Sequence, residues 1–238
     1  MLSAIKICKT YVKSLFRFCG LEISLAPKFE LYEWLKEKDI NTIFDVGANT
    51  GQFASQFHKL FPDAEIYSFE PITDCYIELL KSMKHFSKFH AFNFALGDEN
   101  TKTEMYHNDY SPSSSLLPME ESLKEMFPYT EKAKISEVNI RRLDDVADDL
   151  CIKDNILIKM DVQGFEDKVI LGGDKLISRA SVLILETCFQ PLYIGQVLFD
   201  TIYDMLKQRG FVYMGSEDIR RNPMNGQIIY CDSIFCKK

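Results

Sequence analysis

Three short stretches of the chain hold residues that could do chemistry together. The first is Asp45-Val46-Gly47-Ala48-Asn49-Thr50-Gly51. Two glycines at one turn let the backbone bend tightly and approach a ligand closely. The aspartate ahead of them can accept hydrogen bonds from an amino group or a water. The second is Glu70, followed by Pro71. It lies about 20 residues past the glycine turn, where an acidic residue takes both hydroxyls of a ribose. The pair fits an adenosine cofactor. A dinucleotide fingerprint would read G-x-G-x-x-G, but Asn49 and Gln52 stand where its second and third glycines belong. The spacing D-x-G-x-x-x-G suits instead a ligand with an amino acid tail, a positive sulfonium and no phosphate. That ligand is S-adenosylmethionine. A dinucleotide-dependent oxidoreductase using the same place is the rival reading, and Asn49 and Gln52 argue against it. A non-catalytic protein that keeps the fold is a third, and the intact Asp45, Gly47, Gly51, Glu70 and Asp161 argue against that.

The third stretch is Lys159-Met160-Asp161-Val162-Gln163-Gly164-Phe165-Glu166. Asp161 stands at the tip of an apolar run, and Gly164 lets the chain turn after it. Methyl transfer is an in-line displacement, so the acceptor oxygen must be held close behind the methyl carbon. A carboxylate that takes the oxygen's proton adds to the rate. Asp161 fits that role, as base or as the group that orients the acceptor. It also fits a cap on the helix opening at Phe165, and the sequence leaves both open. Glu166 reads as an acid complementing a helix N-terminus or as an acceptor contact, and Lys159 as a partner for a nearby acid. Ser113, Ser114 and Ser115 make a polar loop, which suits a sugar or polyol ligand or plain solvent. His107 and Tyr193 are weaker candidates for acceptor contacts.

Such residues need a sheet to carry them. Residues 42–46 form a short apolar run ending at Gly47, the pattern of a strand buried on both faces. Strands are likewise expected over 65–69, 89–95, 135–141, 155–160 and 181–186. Helices are expected over 29–38, 52–60, 73–83, 165–171 and 196–209. Residues 211–214 and 228–235 read as a closing antiparallel pair. Alternating strands and helices of these lengths mean a mostly parallel sheet with helices on both faces. In such sheets ligands bind beyond the carboxyl ends of the strands, which is where Asp45, Glu70 and Asp161 fall.

Composition narrows the function further. The 238 residues are 46% hydrophobic and 26% charged, an ordinary globular balance. The formal charge of -7 disfavours generic nucleic-acid binding. Seven cysteines are scattered with no C-x-x-C pair, and four histidines show no H-x-H or H-E-x-x-H pattern, so no metal site is expected from spacing. No apolar run approaches the roughly 18 residues of a membrane span. Residues 1–20 lack a separate apolar stretch, so a secretory leader is not expected. Lys6, Lys9, Lys13 and Arg17 fall on one stripe of a helix there, with Ile5, Val12, Leu15, Phe16 and Cys19 on another. This basic amphipathic helix either packs on the rest of the protein or touches an anionic membrane surface. The expected organisation is a helical extension over 1–39 and a domain over 40–238, cytoplasmic, with possible peripheral contact at the inner membrane surface.

The motifs in their order resemble the FkbM-type methyltransferases, from about Ile40 to the C-terminus. The resemblance is carried by Phe44 to Phe53, Tyr67-Ser68-Phe69-Glu70-Pro71, Asn93-Phe94-Ala95-Leu96-Gly97-Asp98, Ser114-Ser115-Leu116, Arg142-Leu143-Asp144-Asp145 and Ile158 to Glu166. Leu192 to Gln196 and Cys231 to Phe235 also look like this family. The resemblance implies a class I methyltransferase fold, a Rossmann-like sheet of seven strands with the last one antiparallel. It implies that Asp45, Gly47, Asn49, Thr50 and Gly51 line the methionine end of the cofactor, Glu70 holds the ribose, and Ala95 and Leu96 flank the adenine. It places Ser114, Ser115, Gln163 and Glu166 toward the acceptor, a hydroxyl on a sugar, glycan or secondary metabolite. By the resemblance, many members carry Glu where this chain has Gln163, and others carry Gln. The amide removes a carboxylate, which weakens the case for a bound divalent cation.

Overall fold

A computed structural model describes residues 28–108, 114–121, 133–222 and 224–238. The basic stripe expected over residues 1–20, and Ser113, lie outside the described residues. The chain divides into two units at Glu37 and Lys38. In the first, a 3-10 helix begins at Lys28 and runs to Lys38, where a helix is expected over 29–38.

The second unit is built on a seven-stranded sheet. Its strands are β1 (Thr42–Val46), β2 (Glu65–Phe69), β3 (Phe89–Phe92), β7 (Ile156–Met160), β8 (Val182–Cys188), β9 (Phe211–Arg221) and β10 (Ile228–Lys237). They lie in the order β3-β2-β1-β7-β8-β10-β9. β10 is antiparallel to both its neighbours, and the other described pairs are parallel. This is the expected seven-stranded class I arrangement. Helices α1 (Gln52–Leu60), α2 (Thr73–Met83), α3 (Leu143–Ala147), α4 (Glu166–Gly172), α5 (Asp174–Arg179) and α6 (Phe199–Gln208) flank it.

Every residue of β1 is buried, and the pleat sends alternate side chains to opposite faces. Phe44 and Val46 enter one core with Phe69, Ile158, Met160 and Leu185, closed by Leu143 of α3, Val169 of α4, Ile177 of α5 and Ile202 of α6. Ile43 and Asp45 therefore face the other side. In register with Asp45 on that side are Ser68 of β2 and Lys159 of β7. The strand pairing itself thus aligns a hydroxyl, a carboxylate and an ammonium across three neighbouring strands.

A second sheet of three strands, in the order β4-β6-β5, contains β4 (Ala95–Gly97), β5 (Thr101–Asn108) and β6 (Ala133–Arg142). A single strand over 89–95 was the expectation from sequence, and the chain instead changes sheets at Asn93 and Phe94. The Asn93 side-chain amide donates to the carbonyls of Glu70 and Pro71, at 2.9 and 3.0 Å. These bonds compete with the ladder and draw the chain off the sheet edge. β5, α3 and α5 were also not expected. The N–H groups of Lys175 and Leu176 at the start of α5 are satisfied by the Asp144 carboxylate of α3, at 3.1 and 3.0 Å. That cap comes from a distant stretch of chain, so no local signal announces the helix.

α4 lies directly on β4. A Cβ at Gly172 would sit 1.8 Å from the carbonyl oxygen of Gly97, a backbone atom with no freedom to withdraw. Gly172→Ala should therefore destabilise the protein by about 3 kcal/mol and lower its melting temperature by roughly 6–12 °C. Thermal unfolding followed by circular dichroism checks this, and an unchanged melting temperature would contradict the packing.

Candidate functional site

The site forms where the carboxyl ends of β1, β2, β7 and β8 meet. Its first wall is the loop after β1. Gly47, Asn49 and Gly51 all adopt positive φ, at 78°, 49° and 92°. The N–H groups of Gly47 and Ala48 both donate to the carbonyl of Phe69, at 3.0 Å each, which ties the loop to β2. A Cβ on Gly47 would lie 1.9 Å from the backbone oxygen of Asp161. Only a glycine lets the loops after β1 and β7 touch here. The carbonyl of Thr50 accepts a hydrogen bond from Ser82 of α2 at 2.9 Å.

Glu70 holds this loop from the β2 side. Its carboxylate is buried and accepts from the N–H of Asn49 and the N–H of Ile72, both at 2.8 Å. Each oxygen keeps a second lone pair, so the group can still take a pair of ligand hydroxyls. Ala95 and Leu96 are buried on β4. Leu96 belongs to the main apolar core, so its side chain serves packing and the backbone is what this end offers a ligand.

The second wall is the loop from Asp161 to Phe165. Gln163 and Gly164 turn it with φ of 55° and 97°. Glu166 folds back to accept from the N–H groups of Val162 and Gly164, at 3.0 and 3.1 Å. The helix-cap reading of Asp161 is thereby corrected: Phe165 is the N-cap position of α4, the Asp161 carboxylate bonds Lys159 and Gln163, and Glu166 secures the turn. Glu166 is buried at that task.

Freed from capping, Asp161 faces the site with its side chain 36% exposed. Its Oδ2 lies 3.4 Å from the Lys159 ammonium, and its Oδ1 accepts from the Gln163 amide at 2.7 Å. Lys159 also donates to the Gly47 carbonyl at 3.4 Å, stands 3.9 Å from Asp45 Oδ1 and lies 5.7 Å from the centre of the Phe53 ring. Asp45 is fully buried. Its Oδ2 accepts from Ser68 Oγ at 3.4 Å, while Oδ1 has no donor at bonding distance.

Gln163 is the hub of the acceptor side. Its amide nitrogen donates to Asp161 and to Glu186 Oε1, the latter at 3.0 Å, and its amide oxygen accepts from the Tyr193 hydroxyl at 2.7 Å. Its carbonyl accepts from Ser115 Oγ at 2.6 Å. Ser115 and Ser114 are both buried. The Ser115 hydroxyl also accepts from the N–H of Leu117 at 3.0 Å. The expected hydroxyl-bearing pocket loop is instead a brace behind the Asp161 loop, at least through Ser115. Glu186 escaped notice in the sequence although it carries the signal that marked Asp161, an acid closing an apolar strand. His107 lies on β5, in the second sheet. Among the described residues no cluster of three or more His, Cys, Asp or Glu is placed to hold a metal ion.

Residues 45–213, which contain both walls of this site, match the methyltransferase FkbM domain. The chain belongs to the FkbM methyltransferase family. Over 179 residues it is 30% identical to the 2-O-methyltransferase NoeI of Sinorhizobium fredii, covering 72% of this chain and 73% of that one. The AMB antimetabolite synthetase AmbE of Pseudomonas aeruginosa is 24% identical over 198 residues, covering 71% of this chain and 9% of that protein. A solved structure, the methyltransferase FkbM from Methylobacillus flagellatus, has a TM-score of 0.51 at 16% identity, covering 83% of this chain and 44% of that chain. That likeness concerns the fold.

In this FkbM methyltransferase the acids of the site are buried at different depths, and burial governs their ionisation. Desolvation pushes Asp45 above the ordinary carboxylate value, although Lys159 pulls it back. At Lys159 burial opposes the charge, but Asp161, Asp45 and Asp232 outweigh it and hold the ammonium above its usual value. Burial lifts Glu70 and Glu166 to about 7, against the lowering effect of the backbone N–H groups they accept from. A carboxyl raised on folding binds its proton more tightly in the native state, so stability falls as pH rises from the unfolded value to the folded one. Each group should remove at most about 3 kcal/mol between pH 4.5 and 7. The ligand-free protein should therefore lose melting temperature from pH 5 to pH 8, and the double variant Glu70→Gln, Glu166→Gln should flatten that slope. A pH series of thermal melts on both proteins checks it; equal slopes would contradict the assignment.

Proposed function

We propose that the chain is an S-adenosylmethionine-dependent O-methyltransferase acting on a hydroxyl of a sugar, glycan or secondary metabolite. The observation that carries the reading is the Asp161 carboxylate, partly exposed and held by Lys159 and Gln163 beside the glycine loop that would hold the donor. The residues present fit that donor. Asp45 Oδ1 is buried without a bonded donor, Glu70 has acceptor capacity for ribose hydroxyls, and the loop after β1 lacks the G-x-G-x-x-G glycines of a dinucleotide site. The relative named a 2-O-methyltransferase supports oxygen as the methylated atom.

Bound there, S-adenosylmethionine would supply a methyl group on a positively charged sulfur, which keeps the bonding electron pair as a neutral thioether once the methyl has gone. The protein's own part is positioning and proton transfer. Glu70 and the loop from Gly47 to Gly51 bind and orient, with Glu70 fixed by two backbone N–H groups. Gln163 and Lys159 each hold one oxygen of Asp161, which sets the plane of the carboxylate before the acceptor arrives. Asp161 Oδ2, whose contact to Lys159 is the longer of the two, would take the acceptor hydroxyl's proton.

Asp161→Asn keeps shape and removes the charge. It should fold and bind S-adenosylhomocysteine as the native protein does, while methyl transfer falls by roughly two to four orders of magnitude. Turnover close to native would sink the assignment of the base. Glu70→Ala should weaken S-adenosylhomocysteine binding by about 1–3 kcal/mol, read by titration calorimetry. Tight binding of NAD with none of S-adenosylhomocysteine would overturn the donor assignment.

A further inference from the structure

Glu186 has no part in that mechanism, yet it shares a hydrogen-bond donor with the residue at its centre. The Gln163 amide nitrogen lies 2.7 Å from Asp161 Oδ1 and 3.0 Å from Glu186 Oε1. Two carboxyl groups bonded to one nitrogen stand side by side. The amide is held in this sense because the buried Tyr193 hydroxyl donates to its oxygen at 2.7 Å, which turns the two N–H donors toward the acids. Beyond the Gln163 bond, no other bond to the Glu186 carboxyl is seen among the described residues. Its neighbour on β8, Thr187, is sealed inside with Ser233 at 2.7 Å, whereas Glu186 is only half-buried.

We infer that Asp161 and Glu186 form a two-carboxyl clamp for a pair of neighbouring hydroxyls, so that the acceptor is a vicinal diol and Glu186 grips the hydroxyl next to the one methylated. The inference rests on the O-methyltransferase reading above and names its substrate class. Hydroxyls on adjacent carbons are near neighbours, and the two carboxyl groups are likewise brought together at one donor nitrogen. Each hydroxyl can donate and accept, so the clamp works whether or not Glu186 carries its proton. Burial, reinforced by Asp161, Glu166 and Asp232, lifts Glu186 well above the ordinary carboxylate value despite Lys159.

The test uses the full chain, labelled S-adenosylmethionine and methyl glycosides in matched pairs: a vicinal diol and its deoxy analogue lacking the neighbouring hydroxyl. The native protein should prefer the diol over the deoxy analogue by roughly 100-fold or more in kcat/KM, because a site built to bond a hydroxyl rejects the ligand without it. Glu186→Ala should lose most of that preference, and Glu186→Gln should restore part of it, with S-adenosylhomocysteine affinity unchanged in both. Diol transfer that ignores the neighbouring hydroxyl would overturn the clamp and leave the O-methyltransferase reading standing. Transfer to no diol, with S-adenosylhomocysteine still bound, would sink both. The native comparison alone decides if the variants do not fold.

Discussion

The ammonium of Lys159 is the point on which the two walls of the site turn. It reaches the Gly47 carbonyl in the loop after β1, the Asp161 carboxylate in the loop after β7, and the buried Asp45 between them. Strand register places it there, since Lys159 pairs with Asp45 across β1 and β7. Without the cation, a fully buried aspartate would face a second carboxylate across a low-dielectric gap. Removing one partner of such a group is far costlier than the pair is favourable. The site therefore depends on a charge that need never touch a ligand, and the close approach allowed by Gly47 puts that charge within reach of both loops.

Two further buried acids do similar work. Glu70 holds the N–H groups of Asn49 and Ile72, and Glu166 those of Val162 and Gly164. In each wall a carboxyl fastens a backbone bent into the left-handed region, where Asn49 and Gln163 are strained as residues with a side chain. Burial raises both acids while the backbone donors lower them. Rigidity in the loops is thus coupled to protonation of their anchors. For Glu70 the anchoring is compatible with ligand binding, since a carboxylate offers more acceptor sites than two N–H groups occupy.

The parallel core was legible because its strands are short apolar runs ending in Gly or an acid. The hydrophobic period placed β1 and β2 to the residue. What escaped was whatever depends on distant partners. β3 and β4 read as one strand because the Asn93 bonds that separate them go to Glu70 and Pro71. α5 went unseen because its cap is Asp144, on another helix. Ser115 looked like a ligand-facing hydroxyl, but it bonds Gln163, which chain folding alone brings near. Glu186 was hidden differently: its residue type and position were visible, and only the Gln163 amide shows that it belongs with Asp161.

Position 163 shows how one atom sets the character of such a site. The resemblance to the family implies that many members carry Glu there. A third carboxyl beside Asp161 and Glu186 would offer acceptors where the structure has donors, and three adjacent acids need protons or a cation to stand together. Gln163 resolves the conflict covalently. Its nitrogen supplies one N–H to each acid, and its oxygen accepts from the only face where Tyr193 offers a hydroxyl. The amide does for this pair of carboxyl groups what a proton or a metal would have to do with Glu in its place. The same bonds hold both acids against one nitrogen, so neither carboxyl can swing away without losing its donor.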